Sequence, residues 1–126
     1  MAKKVLIIED DSMISSMYRT KLTQDGFDVV LAENGAQGLD VAMQEHPDLI
    51  LLDVILPQLD GFAVLQELKS SKASTKDIPV VMLTNLSTEE DKDKGSRFGA
   101  EEYLVKASLT PSQVSDTVKK YLGNKE

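Results

Sequence analysis

Residues 49–53 read Leu49-Ile50-Leu51-Leu52-Asp53, four apolar side chains in a row closed by an acid. Side chains alternate faces along a strand, so an unbroken apolar run means burial on both faces, the pattern of a strand inside a parallel sheet with helices above and below. Working outward, residues 5–8, 80–83 and 103–105 repeat the apolar run, and residues 27–32 do so apart from Asp28. The intervals between them carry helical spacing. Ile14, Met17, Tyr18 and Leu22 mark a first helix capped by Gly26; Ala36, Leu39 and Met43 mark a second that stops before Pro47; Phe62, Leu65 and Leu68 mark a third. The last helix opens on Thr110-Pro111-Ser112-Gln113, a capping box with proline in its first turn, and buries Val114, Val118, Tyr121 and Leu122 before Gly123. Strand and helix alternate along the whole chain, which predicts an α/β fold on a parallel sheet.

The fourth helix is different. Residues 88–97 offer no apolar face, although Ser87 and Glu90 are spaced as a capping box. Gly95 weakens this helix by roughly 1 kcal/mol relative to alanine, and Leu86 and Phe98 are its only candidate anchors. The reading is a solvated helix pinned at its ends, or a segment that shifts easily between two states. Met13, Met17, Met43 and Met82 read as core or flank fillers and not as a binding surface.

At 126 residues the chain fits one domain, and the expectation is a single domain over 1–126 with no separate output domain. A formal charge of −7 disfavours non-specific binding to nucleic acid or to an anionic membrane. Cysteine is absent, which excludes disulfides, thiolate metal sites and cysteine nucleophiles. The apolar run behind the basic start, residues 5–8, is too short for a signal peptide or a membrane span, so a cytoplasmic location is expected.

The residues just past each apolar run are more informative. Residues 5–8 lead into Glu9-Asp10-Asp11, residues 49–52 into Asp53, residues 80–83 into Thr84, and residues 103–105 into Lys106. In a parallel sheet the strand C-termini share one edge, where open α/β sheets bind ligands. Taken singly, each such residue is more often a turn former or a solvated strand end. Together their chemistry is complementary. Three clustered carboxylates, Glu9, Asp10 and Asp53, resist joint ionisation unless a cation intervenes. An all-oxygen set without histidine or cysteine suits Mg²⁺. Lys106 adds a cation and Thr84 a hydroxyl donor, so Asp53 is equipped as a nucleophile toward a phosphoryl group. The lone His46, at the end of the second helix, has no part in this chemistry.

These residues resemble a known family. Val-Leu-Ile-Ile-Glu-Asp-Asp at 5–11, Leu-Ile-Leu-Leu-Asp-Val-Ile-Leu-Pro-Gln-Leu-Asp-Gly at 49–61, Pro-Val-Val-Met-Leu-Thr at 79–84 and Gly-Ala-Glu-Glu-Tyr-Leu-Val-Lys at 99–106 are similar to response regulator receiver domains of the stand-alone, CheY-like type. The resemblance implies a flavodoxin-like (βα)5 doubly wound sheet in strand order 2-1-3-4-5, the order known for flavodoxin and CheY. It also implies a two-component signalling switch in which Asp53 takes a phosphoryl group from a histidine kinase or phosphotransfer protein and contacts with a downstream target protein change. By the same resemblance, Asp10 and Asp53 would ligate Mg²⁺, Glu9 would act mainly through metal-bound water, and the Ile55 carbonyl would complete the set. Thr84 and Lys106 would contact phosphoryl oxygens, Tyr103 would change rotamer as Thr84 moves, and Asp11 would cap a helix.

The sequence departs from the family pattern at two places. Ala107 follows Lys106 where the family usually has a proline in a cis peptide. A non-proline cis bond costs about 3 kcal/mol, so the resemblance leaves this peptide open, with trans the alternative. Asn85 follows Thr84 where a small residue is usual, and is expected either to narrow access to the phosphoryl site or to hydrogen-bond there. These departures are the support for a second reading, a degenerate receiver that binds protein without phosphorylation. Two enzyme readings fit less well. A flavin carrier needs a phosphate-cradling loop after the first strand, where Glu9-Asp10-Asp11 stands, and an aspartate-dependent phosphohydrolase usually carries an acid at the position of Ile55. The chain is therefore read as no enzyme beyond assisting its own phosphorylation and dephosphorylation.

Overall fold

The computed structural model describes residues 2–123. Five strands, β1 (Lys4–Ile8), β2 (Asp28–Ala32), β3 (Leu49–Leu52), β4 (Val80–Thr84) and β5 (Glu102–Val105), alternate with helices α1 (Ser12–Gln24), α2 (Gly35–Glu45), α3 (Gly61–Leu68), α4 (Glu89–Arg97) and α5 (Pro111–Leu122). All strand pairs are parallel and the order is β2-β1-β3-β4-β5, as the resemblance implied. Period-two alternation splits the core into two layers. Leu6, Ile8, Ile50, Leu52, Val80 and Met82 face α2, α3 and the Leu86–Phe98 region, while Val5, Ile7, Leu49, Leu51, Val81 and Leu83 face α1 and α5. β1, β3 and β4 are buried almost throughout, and the edge strands β2 and β5 only in part. Edge position thus relaxes two-sided burial at the rim of the sheet.

Local chemistry fixes most helix ends as read. Asp11 caps α1 by accepting from the N–H groups of Met13 and Ile14. Gly26 follows that helix at φ +97°. Thr110 and Gln113 form the reciprocal capping box of α5. The box expected at Ser87 is displaced by one residue. Thr88 is the cap, accepting from Asp91 N–H while its hydroxyl donates to the Asp91 carboxylate. Two adjacent hydroxyl residues make this register ambiguous in sequence.

Two further expectations are corrected. Of the four methionines read as fillers, only Met82 lies in the core; Met13, Met17 and Met43 are exposed. Gly95 is not merely a weak point in α4, because it is buried and packs on the sheet. A Cβ there would stand 3.1 Å from the Tyr103 ring, so the missing side chain is what lets α4 lie close. Phe98 adds an edge-on contact with Phe62, and the Lys94 ammonium lies 4.6 Å from the Phe62 centroid. α4 is therefore held at its middle as well as its ends.

Asp25, just after α1, clamps α5: it accepts a hydrogen bond from the fully buried Ser115 hydroxyl and lies 3.4 Å from both Lys21 and Lys119 Nζ. The Ser115 bond, aided by the two lysines and opposed by burial, holds its carboxyl below the usual range. Asp25→Ala should cost about 1–2 kcal/mol at neutral pH by orphaning that hydroxyl. A depressed native pKa contributes stability above the unfolded value of about 3.9 that is lost as pH falls through the native one. The wild-type advantage in urea unfolding, followed by far-UV circular dichroism, should therefore narrow below about pH 4.

Candidate functional site

β1 leads to β2 on one side and lies beside β3 on the other, so the chain reverses direction across the sheet between β1 and β3. The crevice beyond their C-termini is where such sheets place ligands. Ile8 pairs with Leu52, which sets Glu9 and Asp53 side by side as the strands end. Asp53 N–H donates to the Ile8 carbonyl at 3.1 Å and Glu9 N–H to the Ala32 carbonyl at 3.0 Å, fixing both backbones. Glu9, Asp10 and Asp53 each offer a carboxylate oxygen, and these oxygens lie within 4.8 Å of one another. Glu9 and Asp53 are buried; Asp10 is exposed.

Lys106, one residue past β5, reaches across to this cluster. Its ammonium donates to Asp53 Oδ2 at 2.7 Å and to Glu9 Oε1. Asp53 Oδ1 accepts from Ile55 N–H at 3.1 Å. Both oxygens of Asp53 thus have a fixed direction. Burial pulls the Lys106 pKa down, but the bonds to Asp53 and Glu9 outweigh it and hold the ammonium charged. Burial pushes the Glu9 carboxyl up against the opposing effect of Lys106. The donor set is all oxygen and carries excess negative charge, which fits a hard divalent cation such as Mg²⁺.

Gly61 brings α3 against this loop. Its N–H donates to the Val54 carbonyl at 2.8 Å, and a Cβ would stand 2.1 Å from the Asp53 carbonyl oxygen. Thr84 ends β4 fully buried, and its hydroxyl accepts from Leu86 N–H at 3.4 Å. Tyr103 is half-buried, its hydroxyl donating to the Leu86 carbonyl at 2.7 Å. Burial, with the nearby Asp91 and Asp53 charges, pushes its phenol up to about 12, so it stays a donor at neutral pH. Leu86 is therefore tied to Thr84 through its N–H and to Tyr103 through its carbonyl, a junction that no pattern in the sequence announces.

The structure brings Glu9, Asp10, Asp53 and Lys106 together in one cluster; Thr84 and Tyr103 stand beside it, linked through Leu86. Ile55, two residues past Asp53, is 57% exposed. Asn85 Oδ1 accepts from Ala107 N–H at 2.9 Å. No cis peptide occurs among the described residues, so Lys106–Ala107 is trans. His46 ends α2 in the left-handed region at φ 46°, exposed and away from the cluster.

Fold and site together define a doubly wound α/β protein with an acidic, lysine-bridged pocket at the sheet's C-terminal edge. Residues 5–119 match the response regulator receiver domain, and the chain belongs to that family, the receivers of two-component response regulators. Among curated relatives, the DNA-binding dual master transcriptional regulator RpaA of Synechocystis is 46% identical over 103 residues, covering 82% of this chain and 42% of that protein. The alkaline phosphatase synthesis transcriptional regulatory protein PhoP of Bacillus subtilis is 38% identical over 126 residues, 100% of this chain and 51% of that one. The chain spans about half the length of the curated relatives it matches. Among solved structures, Vibrio cholerae chemotaxis protein CheY4 superposes with TM-score 0.88 at 29% identity over 96% of this chain and 99% of its own. A putative response regulator of Chloroflexus aurantiacus gives 0.88 at 29%, covering 98% and 100%.

Replacing Lys106 by methionine leaves the carboxylates with no cation. At pH 7 this should cost about 2–3 kcal/mol, below the full cost of a deeply buried pair because solvent reaches Asp10. Acidification toward the raised Glu9 pKa, or added Mg²⁺, should shrink the deficit, since either relieves the repulsion. Urea unfolding of both proteins across pH and with Mg²⁺ checks this.

Proposed function

We propose that this chain is a phosphorylation-controlled signalling switch and that Asp53 is its phosphoacceptor. The observation that carries the reading is the 2.7 Å pairing of Asp53 with a charged Lys106 inside a cluster that also holds Glu9 and Asp10. The donor is a phosphohistidine on a histidine kinase or phosphotransfer protein. An Asp53 carboxylate oxygen attacks phosphorus; the new P–O bond forms as the P–N bond breaks, and the imidazole leaves with its electron pair. Asp10, Asp53 and the Ile55 carbonyl would hold Mg²⁺, with Glu9 acting through its water. The ion supplies charge that offsets the phosphoryl oxygens. Lys106 and Thr84 contact those oxygens, a task of positioning and not of acid–base chemistry. On this reading the chain is no enzyme in its own right, and assists only its own phosphoryl transfer and loss.

Exposed Met13 and Met17 on α1 and Ile55 beside Asp53 give the partner apolar surface near the acidic cluster. The output is a changed contact with a downstream protein. A net charge of −7 argues against direct nucleic-acid binding by these residues, although RpaA is described as DNA-binding over a longer chain. No helix among the described residues is long and apolar enough to cross a membrane, and the reading carries a cytoplasmic location.

Phosphorylation adds about two negative charges and three acceptor oxygens. Turning the Thr84 hydroxyl toward them removes its bond to Leu86 N–H, and the Leu86 carbonyl holds Tyr103. Thr84, Leu86 and Tyr103 thus convert a charge at Asp53 into movement at the start of α4.

Incubation with a small acyl phosphate should add one phosphoryl mass to the wild type only with Mg²⁺, and none to Asp53→Ala, by intact mass spectrometry. An adduct that survives the substitution, or none at all, favours the phosphorylation-independent binding module. Amide exchange over residues 86–98 should change when a phosphoryl analogue binds, and change less in Tyr103→Phe. Unchanged exchange in the wild type would refute this route.

A further inference from the structure

β4 and β5 run parallel in the register Leu83 to Leu104 and Thr84 to Val105, so Asn85 and Lys106 leave the sheet as neighbours. From there the chains diverge, one into the loop before α4 and the other into a single 3-10 turn, Lys106–Ser108. The first N–H groups of such a turn have no acceptor within it. Its own cap, Val105, has no side-chain acceptor to offer. Asn85 provides one from the neighbouring strand's loop, 22 residues away, by accepting from Ala107 N–H at 2.9 Å. This bond is possible because residue 107 keeps its N–H, which a proline would lack.

We infer that Asn85 is a positioning residue for Lys106. Its hydrogen bond to Ala107 fixes the turn from which the lysine side chain reaches Asp53, and joins the loop carrying Thr84 to the loop carrying Lys106. The ammonium sits on a flexible four-carbon stem. Where that stem starts is set by the backbone of residues 106–107, and no side chain other than Asn85 is hydrogen-bonded to the Ala107 N–H among the described residues. The same bond makes the two groups that face a phosphoryl group move as one unit. The inference rests on the switch reading for its consequence, while the bond itself is independent of it.

The test is a two-by-two set of wild type, Asn85→Ala, Ala107→Pro and the double variant, with Asn85→Asp added because it retains the acceptor. Asn85 and Ala107 are exposed, so the substitutions leave the core untouched, and circular dichroism verifies folding. The rate of Mg²⁺-dependent adduct formation from a small acyl phosphate is read by intact mass. Asn85→Ala should be slower by roughly three- to ten-fold, the equilibrium worth of one hydrogen bond. It should add nothing on top of Ala107→Pro, whose donor is already gone. Asn85→Asp at high ionic strength, where its added charge is screened, should restore the wild-type rate. Ala107 amide exchange should quicken in Asn85→Ala and not in Asn85→Asp. A wild-type rate in Asn85→Ala, or independent effects of the two substitutions, overturns the inference alone. A wild type that takes no phosphoryl group overturns the switch reading and this consequence with it.

Discussion

One ammonium group sits between two buried carboxylates, and the arrangement of the sheet edge follows from it. Lys106 leaves β5, yet its partners Glu9 and Asp53 follow β1 and β3, with β4 lying between. The acids would repel one another if left alone at this separation. Lysine meets that repulsion within the protein, and a hard cation would meet the remainder. The lysine thus pairs two of the acids, and the cluster still carries excess negative charge.

The surrounding structure holds this cluster in place. Gly61 lets α3 close on the Asp53 backbone, where no side chain would fit. Thr84 and Tyr103 share Leu86 as a hydrogen-bonding junction in the loop before α4. α4 is polar outside and rests on Tyr103 through Gly95, with Phe98 against Phe62. A helix held by few apolar contacts lies at the low-stability end of a fold, which on the proposed switch reading suits an element that responds to a small displacement.

Much of this was legible in the residues. Apolar runs without alternation marked the strands, helical spacing marked the helices, and polar residues after successive strands marked the shared edge. Thr110 with Gln113, and Asp11, were readable as caps because their partners lie within three residues. Elsewhere local signals were ambiguous or misleading. Ser87 and Thr88 compete for one cap, and only the path of the chain selects Thr88. Gly95 read as a defect because its benefit, room for Tyr103, depends on a residue of another element. The exposure of Met13, Met17 and Met43 likewise depends on which helix face meets the sheet.

By itself the sequence determined the class of fold and the identity of the acids, the lysine and the threonine, since periodicity and side-chain chemistry are local properties; the part of Tyr103 was implied only by the family resemblance. Tertiary structure alone decided the partners: Lys106 to both Glu9 and Asp53, Leu86 between Thr84 and Tyr103, and Asn85 to Ala107. Apart from the Thr84–Leu86 contact, these bonds join atoms 17 or more residues apart in the chain, and strand register and loop path decide whether they meet. No pattern of residue types encodes a distance that depends on how several strands and helices pack at once.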